Sequence, residues 1–411
     1  MSFKWDKNLF KMTKNYNPHA CLLKATFVIL LVTLFTRCKK DEIAQTDAME
    51  TTKESLSSKQ LNRNTLLAIK GITKKSFYLE DALPDGYVTD GTKDYTSAIQ
   101  KVLDQYDDIV FPAFPLLVND KGLEIRSNKS IVFLKGSEIR LRPSKLATYD
   151  IISLEGAKNV TLYDPVVIGD RYEHLGKGGE AGVGIAIRGS SDITLHNPNV
   201  RECWGDGIYI GQVDKKGYCK NITIDNAFLK RNRRDGISII SVDGLRLISP
   251  YAGYSDGTAP WCGINFEANN PSCVMNDIVV SDPVTVKNEG NGIQMGVMRM
   301  LGQGDKSIDI TIINHKDFDS RLCAFKAACT ARNAAKDGIM TGTINVINPT
   351  WEAPRSGFPL YFSTNQPGIN LSIESPKVID ASGVSLSDDV FMGLINRGTV
   401  GLGKLKVKNS K

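Results

Sequence analysis

Residues 184–210 read Gly-Ile-Ala-Ile-Arg-Gly-Ser-Ser-Asp-Ile-Thr-Leu-His-Asn-Pro-Asn-Val-Arg-Glu-Cys-Trp-Gly-Asp-Gly-Ile-Tyr-Ile. Two short pieces, 185–187 and 193–195, place a large apolar residue at every second position, with turn residues between them. The first piece then returns at 208–210. Alternation of this kind marks half-buried strands. A strand of three residues cannot stand alone, so its apolar side must be buried by a neighbour of the same kind.

Both pieces recur along the chain. The Ile-Thr-Leu type begins at Ile131, Val160, Ile193, Ile222, Leu245, Ile278, Ile310, Ile344 and Leu371, at spacings of 23–34 residues. The Gly-Ile type begins at Gly184, Gly207, Gly236, Gly263 and Gly292, at spacings of 23–29. Self-similarity at such periods signals a solenoid. No helix-length pattern separates the strands, which argues against βαβ units. The Leu pattern is too sparse for leucine-rich repeats, and the strands are too few per period for a propeller. The expected fold is all-β: a right-handed parallel β-helix over residues 76–385. A short helix starts near Asp94, an N-cap residue, and presents Ala98, Ile99, Val102 and Leu103 on one face. That helix is expected to cap the open N-terminal end, with the Val-Phe-Pro that begins at Val110 as the first rung. Residues 386–411 are expected to form a C-terminal cap or tail.

The chain has 411 residues, 41% hydrophobic and 23% charged, which excludes wholesale disorder. Its net charge of +6 lies mostly in residues 1–37, where six basic residues face Asp6 alone. The remainder is close to neutral, so no nucleic-acid footprint is expected. An uncharged run from Ala25 to Phe35 is too short to span a bilayer and follows a basic stretch, as in a secretory signal. The Cys38-Lys-Lys-Asp-Glu that follows resembles a Bacteroidetes-type lipoprotein signal, which implies a lipidated Cys38 and an outer-membrane location, periplasmic or surface-exposed. The alternatives are an uncleaved anchor and a plain secretory signal. Polar residues 38–75 are expected to tether the domain. The body cysteines, Cys203, Cys219, Cys262, Cys273, Cys323 and Cys329, are read as buried thiols or as one or two disulfides such as Cys323–Cys329.

Thr89-Asp-Gly-Thr-Lys-Asp-Tyr-Thr-Ser-Ala-Ile-Gln, the Val-Phe-Pro after it, and Ser137-Glu-Ile-Arg-Leu resemble the start of the pectate-lyase-like superfamily, which includes glycoside hydrolase family 28. The likeness extends over roughly residues 85–375 and implies the β-helix fold with polysaccharide as partner. Of the hydrolase family's four motifs, only the start of Gly-Asp-Asp is matched, at Gly205-Asp206; the Asp-Pro-His-Glu of mannuronan epimerases does not occur.

Aligned on their Gly-Ile pairs, successive rungs carry Val183, Asp206, Asp235, Cys262 and Asn291 just before the glycine. Stacked strands lie ~4.8 Å apart. Asp206 and Asp235 are then neighbours, with Glu267 one rung beyond, and paired carboxylates can cleave glycosidic bonds by acid/base chemistry. The structural alternative is that Asp-Gly is simply a turn dipeptide. The expected function is hydrolysis of an extracellular polysaccharide, uronate-containing polymers included, by Asp206, Asp235 and Glu267. Arg233 and Arg234 are candidates to bind a uronate carboxylate. Ala186, Tyr209, Ser238, Asn265 and Gln294 stand outward as a largely polar ladder, with Tyr209, Asn265 and Gln294 as contacts for sugar hydroxyls, and Trp204 is a candidate for sugar stacking. The insertion 169–182 adds Arg171 and His174 as substrate contacts. A lyase or epimerase acting on uronates is the runner-up, with Arg233, Arg234 or His174 moving the proton and calcium as its one plausible cofactor; a non-catalytic glycan binder is the third reading. No other cofactor or metal is expected, and the protein is expected to be a monomer or a trimer.

Overall fold

The computed structural model describes residues 71–214, 217–302, 304–330, 338–352, 355–398, 400–401 and 404–408. The leader, most of the tether and Cys38 lie outside them. Three parallel sheets run the length of the molecule, of twelve, ten and ten strands. The chain visits the second, first and third sheet in turn on each coil, which makes the right-handed parallel β-helix.

The two sequence patterns are the first and second sheets. Val160, Ile193, Ile222, Leu245, Ile278, Ile310, Ile344 and Leu371 share one register column of the first sheet. Ile131 departs from it and pairs with Leu162, a slip of two residues that keeps its side chain inward. Ile185, Ile208, Ile237, Ile264 and Ile293 form the matching column of the second sheet. All are buried in one continuous core.

The third sheet has strands of about three residues, such as Asn199–Arg201, Phe228–Lys230, Tyr251–Gly253 and Val284–Val286. Only the middle residue of each faces inward, and that column includes Ala252, Thr285 and Asp317. The corners between sheets need left-handed backbone, and Asn, Asp and Gly supply it most cheaply. Between the first and third sheets the corner residues are Asp164, Asn197, Asn226, Ser249, Asp282, Asn314, Asn348 and Ser375, with φ between 48° and 56°. Side-chain amides stack along this edge, as from Asn226 to Asn197 (3.1 Å) and from Asn197 to Asp164 (2.7 Å).

The first rung lies earlier than expected. Phe77–Tyr78 already pairs with Ile109 and Val110. Helix α1, Thr96–Gln105, buries Ile99, Val102 and Leu103. Its start is held by Asp94, whose Oδ1 accepts the Thr96 N–H (2.9 Å). The Gln100 amide bonds both the N–H (2.8 Å) and the C=O (3.0 Å) of Glu124, in the edge strand of the second sheet. One side chain thus blunts an edge that would otherwise pair. At the other end, helix α2, Asp388–Gly398, is followed by Val400–Gly401 and Lys404–Lys408, which extend the second and first sheets by a last partial coil.

Candidate functional site

The second sheet turns its Gly-Ile strands so that the residue after each isoleucine faces out. Ala186, Tyr209, Ser238, Asn265, Gln294, Lys326 and Tyr361 stand in register along this face. The residues before the glycines also stack: the Gly207 N–H donates to the Asp235 carbonyl and the Gly236 N–H to the Cys262 carbonyl. Asp206 and Asp235 are therefore neighbours on successive coils. Glu267 lies on the next strand, two residues past Asn265 on the outward side.

The structure brings these three carboxylates together around Arg234. Its Nη1 lies 3.1 Å from Asp206 Oδ2 and 3.1 Å from Asp235 Oδ2, and its Nη2 lies 2.5 Å from Glu267 Oε2. Ser238 Oγ bonds Asp235 Oδ2 (3.2 Å), and Asn265 Nδ2 bonds both Asp235 Oδ2 (2.9 Å) and Glu267 Oε2 (3.2 Å). Gln294 continues the chain by donating to Asn265 Oδ1 (3.3 Å) and accepting from Asn291 (2.8 Å).

The inner aspartates also serve the backbone. Asp206 Oδ1 accepts the Asp235 N–H (3.2 Å) and Asp235 Oδ1 accepts the Cys262 N–H (2.8 Å). The Asp235 side chain has no exposure, that of Asp206 5%, and that of Glu267 30%. Burial foremost, then the Asp206 charge, pushes Asp235 up to about 8 against the pull of Arg234. Burial raises Asp206 too, opposed chiefly by Arg234. Two close carboxylates in one dry site favour sharing a proton, and they titrate as a pair. Burial works against the charge on Arg234, but the three carboxylates outweigh it and hold the guanidinium ionised.

The other candidates are placed differently. Arg234 is engaged by this chain's own carboxylates, Asp206, Asp235 and Glu267. Trp204 is half-buried and engaged within the protein: His174 stacks on it at 3.9 Å, and the Arg233 guanidinium lies 3.8 Å from its ring centroid. Arg233 Nη1 also donates to the Gly179 carbonyl (2.8 Å). Arg171 bonds the Arg231 carbonyl (2.7 Å) and the Asp256 carboxylate, so it ties the insertion to the next coils. His174 Nδ1 pairs with Asp170 Oδ2 (2.8 Å), and its Nε2 is buried without a partner. Tyr209 lies half-buried under Arg188, whose guanidinium is 4.7 Å from the ring and also grips Asp150. Sequence reasoning placed Ser238 on the outward ladder but not as a partner of Asp235, and it missed the Asp150–Arg188 pair; Arg188, four residues past Gly184, was within its reach. The six body cysteines are free and buried, Cys323 and Cys329 included. Among the described residues no group of three or more His, Cys, Asp or Glu is placed to hold a metal.

No family model matches the chain. In sequence it is similar to two Bacillus subtilis (strain 168) proteins. One is the uncharacterized protein YclG, 24% identical over 245 residues, 52% of this chain and 41% of that one. The other is the SPbeta prophage-derived uncharacterized protein YorA, 27% identical over 164 residues, 36% of this chain and 28% of that one. The chain thus spans less than half the length of these relatives. In structure it is similar to endo-xylogalacturonan hydrolase from Aspergillus tubingensis, with a TM-score of 0.53 and 14% identity over 81% of this chain and 93% of that one. It is also similar to the Streptococcus pneumoniae surface protein and adhesin PfbA, with a TM-score of 0.50 and 14% identity over 82% and 98% of the two chains. At these identities the likeness is one of fold alone, the right-handed parallel β-helix.

Proposed function

We propose that the outward face of the second sheet is a polysaccharide groove, and that the chain hydrolyses glycosidic bonds there. One observation carries the reading: three carboxylates from three successive coils meet at a single guanidinium on that face. In this reading the buried Asp206–Asp235 pair keeps a proton near neutral pH, as a general acid must. Asp206, the member with some exposure, delivers it to the leaving oxygen, and Asp235 positions it. Glu267, the most exposed of the three, is the base or nucleophile on the sugar side. The name of one similar structure, an endo-xylogalacturonan hydrolase, fits a carbohydrate partner, and that of the other, a surface adhesin, fits a binding role. Asp235 has every oxygen bonded inside the protein, which favours a second reading in which the face binds glycan without cleaving it.

The test is a polysaccharide panel with wild type, Asp206→Asn and Glu267→Gln. Hydrolysis yields new reducing ends with no unsaturated-uronate absorbance, lowered by about 10²–10⁴-fold in both variants. Absorbing products move the activity to a lyase. Binding without products on every substrate supports the second reading. We also infer that Cys38 carries lipid and anchors the protein in the envelope; Cys38→Ala then moves the protein from the detergent phase to the aqueous phase of a partition assay.

A further inference from the structure

The same cluster bears on which sugar it accepts. We propose that the unit seated over Asp206, Arg234 and Glu267 is a neutral sugar held through its hydroxyls, and that a uronate is rejected there. The inference rests on the glycan-groove reading and narrows its substrate class.

The argument is donor accounting. A carboxylate offers only acceptors, so a uronate needs unspent N–H or O–H groups or an excess of positive charge. Along this row the donors point inward or along the row. Arg234 Nη1 is shared among Asp206, Asp235 and Ser238, Nη2 goes to Glu267, and Nε, the one guanidinium nitrogen without a partner among the described residues, is buried away from the face. Ser238 donates to Asp235, Asn265 to Asp235 and Glu267, Gln294 to Asn265, and Asn291 to Gln294. What turns outward is chiefly acceptor lone pairs, most exposed on Glu267.

The charge runs the same way. One guanidinium faces three carboxylates, and a proton shared by the buried pair still leaves two. The cation on one side, Arg188, is gripped by Asp150. On the other side Lys326 stands in register beyond Gln294, two strands from Asn265 and so ~10 Å away. Each is engaged elsewhere: Arg188 on Asp150, and Lys326 over the Tyr361 ring, 5.8 Å from its centroid; the third nearby cation, Arg233, lies over Trp204 with its Nη1 on the Gly179 and Trp204 carbonyls. A sugar hydroxyl donates to such a surface, whereas a second carboxylate meets like charge.

The experiment uses the full chain on an array of all-uronate polymers (polygalacturonate, alginate and glucuronan) beside the same polymers after carboxyl reduction and a set of neutral polysaccharides. In such a polymer every unit is acidic, so the unit over the cluster must be. We expect retention on neutral members, and at least about tenfold weaker retention on a uronate polymer than on its reduced form. Glu267→Gln narrows that ratio by weakening neutral binding and admitting the uronate. Uronate polymers held as well as their reduced forms, with no response to Glu267→Gln, overturn the inference and leave the groove reading standing. Retention of no polymer at all overturns both.

Discussion

Asp317 shows how a single side chain sets the pH response of this fold. It faces into the solenoid, fully buried, and its Oδ1 accepts from Thr285 (2.5 Å) and Ser320 (2.6 Å) while Oδ2 has no partner. Beside it the His315 Nδ1 accepts from Trp351 Nε1 (3.0 Å), so its Nε2 carries the proton and donates to Thr285 Oγ1 (2.8 Å). Burial pushes Asp317 up to about 7 and His315 down to about 3. The folded chain therefore keeps a proton on Asp317 that the unfolded chain releases near pH ~4. Its stability is fully present below that pH and is lost as pH rises towards 7. His315 acts oppositely: stability is lost as pH falls below ~6.5, where the unfolded imidazole gains a proton. Asp317→Asn removes the first effect and leaves the second. The unfolding free energy of the variant, read from urea titrations, should gain on wild type steadily between pH 4.5 and 7, by on the order of 1–3 kcal/mol in all, and no further above. An offset that does not change with pH means that Asp317 is not a buried neutral acid.

At the scale of the element, the Gly-Ile pair is a packing device. A Cβ on Gly236 would lie 2.5 Å from the Gly263 carbonyl oxygen and 2.9 Å from the Ala252 Cβ. A Cβ on Gly207 would meet the Gly236 carbonyl at 2.6 Å, and one on Gly263 the Gly292 carbonyl at 2.8 Å. Each glycine thus leaves room for the backbone of the next coil, and the corner that carries Asp206 and Asp235 depends on this close approach. Gly236→Ala forces backbone apart next to Asp235. We expect it to cost roughly 1–3 kcal/mol, as overpacking does. Because Asp235 is the adjacent residue, it should also lower glycan binding by more than a distant change of equal stability cost. Ile310→Val, in the first sheet, supplies that control. Equal binding by the two variants would separate the glycine column from the site.

At the scale of the whole molecule, the repeat was legible because inward side chains of the first and second sheets are nearly all Ile, Leu or Val. The third sheet was not, since one inward residue per strand, sometimes Ala252, Thr285 or Asp317, leaves no hydrophobic period. The meeting of Asp206, Asp235 and Glu267 followed from strand spacing, which fixes where backbones stack. The ends of long side chains do not follow from spacing. Arg234 crosses to three carboxylates, Arg233 reaches over Trp204 from the next coil, and His174 closes on the same ring through an insertion of no fixed register. The same stacking predicts how the molecule unfolds. One core runs from Leu79 to Ile395, and the six buried thiols sample its coils from Cys203 to Cys329. Burial raises Cys219 and Cys323 to about 11 and Cys329 to about 12, so these three stay protonated and unreactive in the native state. Coils joined by uninterrupted interfaces should unfold together. Alkylation mapped by mass spectrometry across a urea series should leave all six untouched in the native protein and release them at one midpoint. Release of Cys323 and Cys329 at lower urea than Cys203 and Cys219 would mean that the interfaces between coils are not uniformly strong and that the C-terminal coils open as a separate unit.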